Sequence, residues 1–262
     1  MNTQENSTGR PLADAKWLEN HHLAKLNERT AFVKRISEYN PKKIVDLGCA
    51  TGLWLDLLND FVSNECEFIG IDSDPESLSI ALERSKSWNR KSSFLNLDLE
   101  KDVEQIPSAD IILAFNIFPY IQNLNEFINI IHSKNPKGTL AIRQYDGASI
   151  RFGPMATSNR QKFESDLRIA TENSKKFSHY DMDRTFNAIY KSNYSSKSIE
   201  FELFERKSPF PKEFVPYYNG TLEWTIQHIS DSSAEYLKKW IEDDTLLHCR
   251  YFFEVDLVAI LS

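Results

Sequence analysis

The sequence is poor in cysteine and has no spacing of side chains that would hold a metal ion. Its three cysteines, Cys49, Cys66 and Cys249, are widely separated, which gives neither a disulfide framework nor a zinc motif. The six histidines do not stand at metal-ligand spacings either. We therefore expect reduced thiols, no metal centre and a cytoplasmic protein.

Long apolar runs and clusters of basic residues are also missing. No stretch approaches the roughly 20 apolar residues of a transmembrane helix, and the first ten residues have no apolar signal-peptide core. The formal net charge is −7, so the broad basic surface of a general nucleic-acid binder is not expected. These absences predict a protein without a membrane span and without a nucleic-acid partner.

What the sequence does contain is an alternation of strand and helix patterns after residue 43. Apolar runs near 44–47, 68–71, 109–115 and 139–143 are typical of parallel strands that are covered on both faces. Helical patterns separate them. The alternation predicts an α/β fold with a doubly wound sheet and right-handed crossovers.

The first predicted strand ends in a glycine-rich turn, Asp46-Leu47-Gly48-Cys49-Ala50-Thr51-Gly52, and a helical pattern follows. A strand that breaks at glycines and opens a helix is a site for a nucleotide-like ligand. Asp72 ends the second strand, where a carboxylate can accept hydrogen bonds from ribose hydroxyls. Asp98 follows a third, shorter strand that is predicted at residues 93–97. We therefore expect a nucleoside-containing ligand at this edge of the sheet.

Together these residues resemble the class I S-adenosylmethionine-dependent methyltransferase family, over residues 40–146 and more loosely over the last two strands. The resemblance implies S-adenosylmethionine as cofactor. It also implies a Rossmann-like, doubly wound, seven-stranded sheet that is mostly parallel with an antiparallel last strand, plus a helical or irregular cap. Ala50 replaces the family's middle glycine. Adenosylmethionine has no pyrophosphate to approach the backbone there, so this departure favours a methyltransferase over an NAD-dependent dehydrogenase.

The resemblance further implies a role for the motif residues. The glycine turn would surround the methionine part of the cofactor, and Asp46 would act on its amine directly or through water. Asp72 would hold the ribose, and Asp98 would accept a hydrogen bond from the adenine amine. The complete cofactor-binding set predicted in this way is Asp46, Gly48, Cys49, Ala50, Gly52, Asp72, Ser73, Asp98, Leu99, Asn116 and Ile117.

The acceptor side is defined less sharply by the sequence. Asp146 follows the fifth strand and is interpreted either as a base or orienting group, or as the first residue of a turn with Gly147. His228 is the preferred base among the histidines, because its neutral form is available at pH 7. The residues predicted to contact the acceptor are Tyr120, Arg143, Tyr218 and Trp224, with an ion pair as the alternative role of Arg143.

Four regions are expected along the chain. Residues 1–40 form an N-terminal helical cap, and residues 41–146 form the cofactor-binding core. Residues 147–197 form a polar, irregular lid with one helix near residues 181–190. Residues 198–262 supply the final strands and an aromatic-rich insertion at about 207–245. This insertion either lines an apolar acceptor pocket or is a packed cap without ligand contact, and both interpretations stay open.

The sequence thus predicts a methyltransferase that moves a methyl group in line to an oxygen or nitrogen of a small-molecule acceptor, with specialised metabolism as one setting. Two alternatives remain. One is a non-catalytic S-adenosylmethionine-binding protein with a regulatory or assembly role. The other is a methyltransferase that acts on a protein or RNA partner. No membrane partner is expected, and a homodimer is left open.

Overall fold

A single sheet forms the centre of the protein in a computed structural model, which describes residues 5, 7, 12–173 and 180–262. Eight strands of these residues belong to the sheet. In chain order they are β1 Lys43–Leu47, β2 Glu67–Asp72, β3 Ser92–Asn96, β4 Ile111–Phe115, β5 Thr139–Tyr145, β6 Arg151–Gly153, β7 Lys197–Lys207 and β8 Tyr251–Leu261.

Helices cover both faces of the sheet and one of its ends. Within the described residues they are α1 Ala15–Ala24, α2 Leu26–Ser37, α3 Leu53–Asn59, α4 Pro75–Ser85, α5 Leu124–Lys134, α6 Thr157–Asn173, α7 Met182–Lys191, α8 Val215–Ile226 and α9 Asp231–Glu242. None of the helices that the structure describes combines the length and the apolarity needed to cross a bilayer.

The strand order is β3-β2-β1-β4-β5-β8, with β7 on the far side of β8. Strands β1 to β5 are parallel to one another, and β8 runs antiparallel to both β5 and β7. The predicted doubly wound, mostly parallel sheet with an antiparallel last strand is therefore confirmed. The additional strand β6 pairs with the first residues of β8, and its three residues are too few to give a recognisable pattern.

Two apolar layers explain why the strands β1, β2, β4 and β5 are largely apolar and buried. On one face, Val45 and Ile142 of the sheet pack with Phe127 of α5 and Ile189 of α7. On the other face, Ile44 and Leu113 pack with Phe32 of α2 and Leu58 of α3. Strands that are buried on both faces need no alternating polar residues.

Helix α6 lies within residues 147–197, so the prediction of an irregular segment with a helix only near residues 181–190 is wrong. Helix α8 was not expected either. Helix α6 is largely polar and buries a narrow stripe that includes Phe163, Leu167 and Ala170. Helix α8 contains Pro216 in its first turn, where proline is tolerated because the N–H has no helical partner. Its Gly220 lets α1 approach, since a Cβ there would lie 2.5 Å from Cζ3 of Trp17.

A group of buried charges ties α1 to the sheet, and we call it the buried ionic cluster: Lys25, Arg143, Tyr217, Glu254 and Asp256. Lys25 Nζ contacts Glu254 and lies 3.0 Å from Asp256 Oδ1. Arg143 Nε donates to Asp256 Oδ2 over 2.8 Å. The Tyr217 hydroxyl lies 2.8 Å from Glu254 Oε2. These contacts hold the C-terminal end of α1 and the start of α8 against β5 and β8.

Candidate active site

A cleft opens at the carboxyl ends of the parallel strands, where ligands bind in sheets of this type. The segments after β1, β2, β3 and β4 form its floor and one wall. Helix α1 and the first turn of α2 form the opposite side. The cleft thus brings together residues from the glycine turn and from the N-terminal helices.

The glycine turn adopts left-handed backbone conformations at every second residue. The φ angles are 66° at Gly48, 45° at Ala50 and 76° at Gly52. At Gly48 a side chain is excluded twice, because an added Cβ would also lie 2.4 Å from Cγ2 of Ile117. Ala50 occupies the same conformation with a Cβ, which strains its backbone. The pattern explains why glycine is suited to these positions.

Two backbone N–H groups, those of Ala50 and Asp74, hold the carboxylate of Asp72 in place. Its Oδ2 accepts a hydrogen bond from the Ala50 N–H over 2.8 Å, and its Oδ1 accepts one from the Asp74 N–H over 2.9 Å. Burial raises the pKa of the carboxyl despite these bonds. Each oxygen keeps a lone pair for a further donor. The geometry fits a carboxylate that is held rigidly to receive hydroxyl groups.

Asp46 lies behind the turn, at the end of β1, and is 1% exposed. Its Oδ2 has no hydrogen-bond partner among the residues that the structure describes. Burial, and then the charge of Asp72, raise the pKa of Asp46 well above its usual range. A buried carboxyl oxygen without a donor is unfavourable, so this position fits a donor or cation supplied by a ligand, directly or through water.

Asn116 and Asp98 shape the remaining walls. Asn116 follows β4 with a φ of 56°, a conformation that asparagine tolerates better than most residues. Its Oδ1 accepts from the Tyr145 N–H over 3.2 Å, which holds the ends of β4 and β5 together. Asp98 caps a turn by accepting from the Glu100 N–H over 3.1 Å. Both residues face the cleft.

Most of the residues predicted to bind the cofactor come together in this cleft. Asp46 and Gly52 do not line it directly: Asp46 is buried behind the turn, and Gly52 precedes α3. The predicted residues that line the cleft are Gly48, Cys49, Ala50, Asp72, Ser73, Asp98, Leu99, Asn116 and Ile117.

The structure brings only Tyr120 of the predicted acceptor residues to the cleft. Arg143 belongs to the buried ionic cluster, is 2% exposed and also pairs with Glu202 over 2.8 Å. Its ion-pair alternative therefore describes the structure, and an acceptor contact does not. Asp146 caps the turn that follows it by accepting from the Ala148 N–H over 3.2 Å, and burial raises its pKa to about 6. The turn interpretation of Asp146 is the one that the geometry supports.

His228, Tyr218 and Trp224 lie in an aromatic core at the end of the sheet, outside the cleft. The His228 ring stacks on Trp224 with centroids 4.3 Å apart, and its Nδ1 lies 2.7 Å from the Trp224 carbonyl oxygen. Tyr218 is buried against Phe152 and Phe210. The structure does not support a catalytic or acceptor-binding role for these residues. The aromatic-rich insertion is a packed cap, which the sequence left as one of two alternatives.

The functional residues that the sequence reasoning missed lie on the N-terminal helices. Trp17, His21 and Arg29 all face the cleft, and Tyr145 and Tyr180 adjoin them. A signal was present, because Trp17, His21 and Lys25 recur at intervals of four and so share one helix face. Polar residues on the buried face of a helix indicate a site, whereas the apolar periodicity alone indicated only a helical cap.

His21 is the only histidine among the described residues that lines this cleft. Its ring stacks on Tyr217 of the buried ionic cluster with centroids 5.0 Å apart and an interplanar angle of 11°. Burial, and then the nearby Arg29 charge, lower its pKa well below the usual value. His21 is therefore neutral at pH 7. Metal-binding groups of three or more His, Cys, Asp or Glu side chains do not occur in the part of the chain that the structure describes.

Comparisons with known proteins agree with this geometry. Residues 40–208, well over half of the chain, match the family described as a methyltransferase domain. An uncharacterized protein of Haemophilus influenzae is 28% identical over 128 residues, which are 47% of this chain and 49% of that protein. The matched segment therefore spans about half the length of this curated relative.

Solved structures share the fold at low sequence identity. The YcgJ protein of Bacillus subtilis has a TM-score of 0.56 and 11% identity, with 90% of this chain and 98% of that chain covered. The putative methyltransferase BH2331 of Bacillus halodurans has a TM-score of 0.54 and 10% identity, with 88% and 97% covered. At these identities the likeness concerns the fold alone.

Proposed function

The chain belongs to the class I S-adenosylmethionine-dependent methyltransferase family, and from this premise we propose that it methylates a small-molecule acceptor bound under α1. The observation that carries the proposal is the continuity of the cleft. One cavity is lined by the glycine turn, by Asn116 and by Trp17 and His21 of α1. Cofactor and acceptor therefore have adjoining places in one cavity.

The residues of the cleft floor suit S-adenosylmethionine, the methyl donor of the family. We assign Asp72 to the ribose hydroxyls and Asp98 with Leu99 to the adenine. Asp46 is assigned to the amino group, because its buried Oδ2 lacks a donor within the described residues. The bound cofactor supplies an activated methyl group on a sulfonium. The chain itself has to orient the acceptor and keep water out.

Aromatic side chains give the acceptor end its character. Tyr120, Tyr145 and Tyr180 line the same cavity as Trp17, and the ring centroids of Tyr145 and Tyr180 lie 5.0 Å apart. Aromatic faces stabilise a nearby cation, here the sulfonium. A pocket covered by a helix suits a small molecule better than a protein loop or an RNA strand, which needs an open groove.

Methyl transfer requires a new bond from the acceptor atom to the methyl carbon, while the carbon–sulfur bond breaks and its electron pair stays on sulfur. An acceptor hydroxyl or ammonium also has to lose a proton. We assign this proton to His21, because its ring is uncharged and lies at the acceptor end of the cleft. His21 thus takes the role that the sequence suggested for His228.

A non-catalytic S-adenosylmethionine-binding protein is the second candidate. It would need the glycine turn and Asp72, but it would not need a neutral histidine or an aromatic pocket beside the methyl group. The presence of both His21 and the tyrosines in the cleft favours catalysis. A screen for methyl transfer to small molecules, peptides and RNA separates the candidates. We expect label from the methyl group to appear on small molecules, and transfer to none of the three classes would favour the binding protein.

Calorimetry with S-adenosylhomocysteine tests the cofactor assignment. We expect wild-type affinity in the micromolar range and a loss of about tenfold or more in Asp72→Ala, which removes charge-assisted hydrogen bonds to the ribose. Asp110→Ala is the matched control. Asp110 also accepts two backbone hydrogen bonds, from Lys42 and Lys43, but outside the cleft. Unchanged affinity in Asp72→Ala would refute the ribose assignment.

The role of His21 is tested once an acceptor has been found. His21→Ala is expected to slow methyl transfer by about 10²-fold or more, the usual contribution of a general base. Affinity for S-adenosylhomocysteine should change little. His228→Ala serves as the control and should retain the wild-type rate. Equal rates for wild type and His21→Ala would remove His21 from the mechanism.

A further inference from the structure

Arg29 is a buried cation that faces the cleft and has no carboxylate partner among the residues that the structure describes. It lies in the first turn of α2 and is 5% exposed. Its NH1 lies 2.8 Å from Nδ1 of His22, and its guanidinium carbon lies 4.6 Å from the ring centroid of Trp54. Its buried Nε has no hydrogen-bond partner, and no carboxylate of the described residues approaches within ion-pair distance.

Two other buried arginines are held within the protein, Arg143 by carboxylates and Arg250 by backbone carbonyl oxygens, although Arg250 Nε also lacks a hydrogen-bond partner among the described residues. Arg143 is held by Asp256 and Glu202. Arg250 donates to backbone carbonyl oxygens that include Ile241, over 2.7 Å. Burial, and then the charge of Arg143, lower the pKa of Arg29 to about 9. A buried guanidinium without a carboxylate partner is costly, so the position of Arg29 fits an anion that a ligand would bring into the cleft.

The position of Arg29 indicates which anion this is. Its guanidinium stacks on Trp54, two residues after the last glycine of the turn. Asp46, the first residue of the turn, is a buried carboxyl group whose Oδ2 lacks a donor in the described structure. A carboxyl group and a guanidinium, each with an unpartnered buried atom, therefore lie near the two ends of the turn. An α-amino acid carries both complementary groups, an ammonium and a carboxylate.

We propose that Arg29 binds a carboxylate in the cleft, with the methionine carboxylate of the cofactor as its expected source. The proposal rests on the proposed function, since it assumes that S-adenosylmethionine occupies this cleft. A planar guanidinium can bind a carboxylate through two parallel hydrogen bonds, and its Nε is one of the two donors this requires. A carboxylate on the acceptor is the other source of the same chemistry.

The test compares S-adenosylhomocysteine with its decarboxylated analogue by calorimetry. We expect wild type to prefer the carboxylate-bearing ligand by about tenfold or more, as for hydrogen bonds between charged groups. Arg29→Gln should lose this preference while binding the analogue as wild type does. Arg29→Lys should retain part of it. The matched control is Arg206→Gln, because Arg206 also stacks on an aromatic ring, Phe204, but pairs with Glu28 away from the cleft.

A second arm identifies an acceptor carboxylate. Protein saturated with S-adenosylhomocysteine is titrated with benzoate and with benzamide as probes. A preference for benzoate that disappears in Arg29→Gln, together with equal binding of the two cofactor analogues, supports the carboxylate site and assigns it to the acceptor. The proposal is overturned if Arg29→Gln, shown to be folded by its unfolding transition, changes neither preference. Failure of wild type to bind S-adenosylhomocysteine would instead refute the proposed function.

Discussion

The buried ionic cluster and the cleft both contain charges removed from water, but they differ in how those charges are satisfied. In the cluster, Asp256 contacts Lys25 and Arg143, so each charge has an opposite partner within the protein. Arg29 in the cleft and Asp46 behind the glycine turn each keep a buried polar atom without a hydrogen-bond partner, and neither has an ion pair in the described structure. Buried polar groups are normally paired, so the contrast separates a structural site from one that is completed by a ligand.

Helix α1 connects the two regions physically. Its C-terminal boundary residue, Lys25, is fixed in the buried ionic cluster, whereas Trp17 and His21 on the same face extend over the cleft. His21 also stacks on Tyr217, whose hydroxyl is bonded to Glu254. The cluster therefore positions the roof of the cleft. We expect its stability to contribute to function by holding the proposed acceptor end in place.

Removing one partner from the cluster should have the largest effect on stability. Asp256→Ala leaves Lys25 and Arg143 without their shared carboxylate, and we expect the free energy of unfolding to fall by about 3–5 kcal/mol at pH 7. Urea denaturation measures this. Glu235→Ala removes an exposed pair with Lys239 and should change stability by about 0.5 kcal/mol at most. A loss below about 1 kcal/mol in Asp256→Ala would show that the cluster is not the structural site described.

Replacing Asp46, the buried carboxyl group behind the glycine turn, should raise the free energy of unfolding, whereas replacing Asp256 should lower it. Because the pKa of Asp46 is raised in the folded protein, the folded state binds more protons than the unfolded state above the usual pKa. The free energy of unfolding therefore falls as the pH rises toward the folded pKa. Asp46→Asn removes this loss, and we expect a gain of about 1–3 kcal/mol at pH 8.

Ligand binding is the second measurement on the same variant. Asp46→Asn should bind S-adenosylhomocysteine about tenfold more weakly, since the amide is a poorer partner for an ammonium group. A more stable protein that binds its ligand less well is the signature of a group retained for function. Lower stability together with unchanged affinity would instead make Asp46 a structural anchor of the turn.

Asp146 provides a smaller effect that separates stability from function. Burial raises its pKa to about 6, so the free energy of unfolding again falls as the pH rises. For Asp146 this fall is confined to the range from about pH 4 to about pH 6. Asp146→Asn should remove this pH-dependent change in the free energy of unfolding, which we expect to be about 1–2 kcal/mol because the side chain is partly exposed. Affinity for S-adenosylhomocysteine should stay unchanged. A fall in affinity would return Asp146 to the site.

The sequence revealed the parts of the molecule that depend on local patterns. Apolar runs predicted β1 to β5, and the alternation of left-handed residues at Gly48, Ala50 and Gly52 made the turn visible as a glycine motif. Parallel strands bring their carboxyl ends to one edge of the sheet. For this reason Asp72, Asp98 and Asn116 could be placed together before any geometry was known.

The remaining features depend on contacts between distant parts of the chain. Lys25 and Asp256 are 231 positions apart in the sequence, and no local pattern indicates which carboxylate a lysine will meet. The aromatic cap has the composition of a binding pocket, yet its rings pack against one another. Arg143 and Arg29 look alike in the sequence. Only the neighbours that folding gives them distinguish the structural arginine from the one that faces the cleft.

The smallest predicted effect concerns backbone strain at the cleft. Ala50 has a φ of 45°, and this left-handed conformation costs a residue with a Cβ about 1–2 kcal/mol. Glycine avoids that cost but loses more backbone entropy on folding, which cancels about 0.5–1 kcal/mol of the gain. Ala50→Gly should therefore raise the free energy of unfolding by about 0.5–1 kcal/mol. Urea denaturation measures the change. The matched control is Ala31→Gly on the exposed face of α2, which should lower stability by about 1 kcal/mol because its helical backbone is right-handed. If both substitutions lower stability, the turn holds no strain at Ala50, and the difference between cleft and cluster lies in their charges alone.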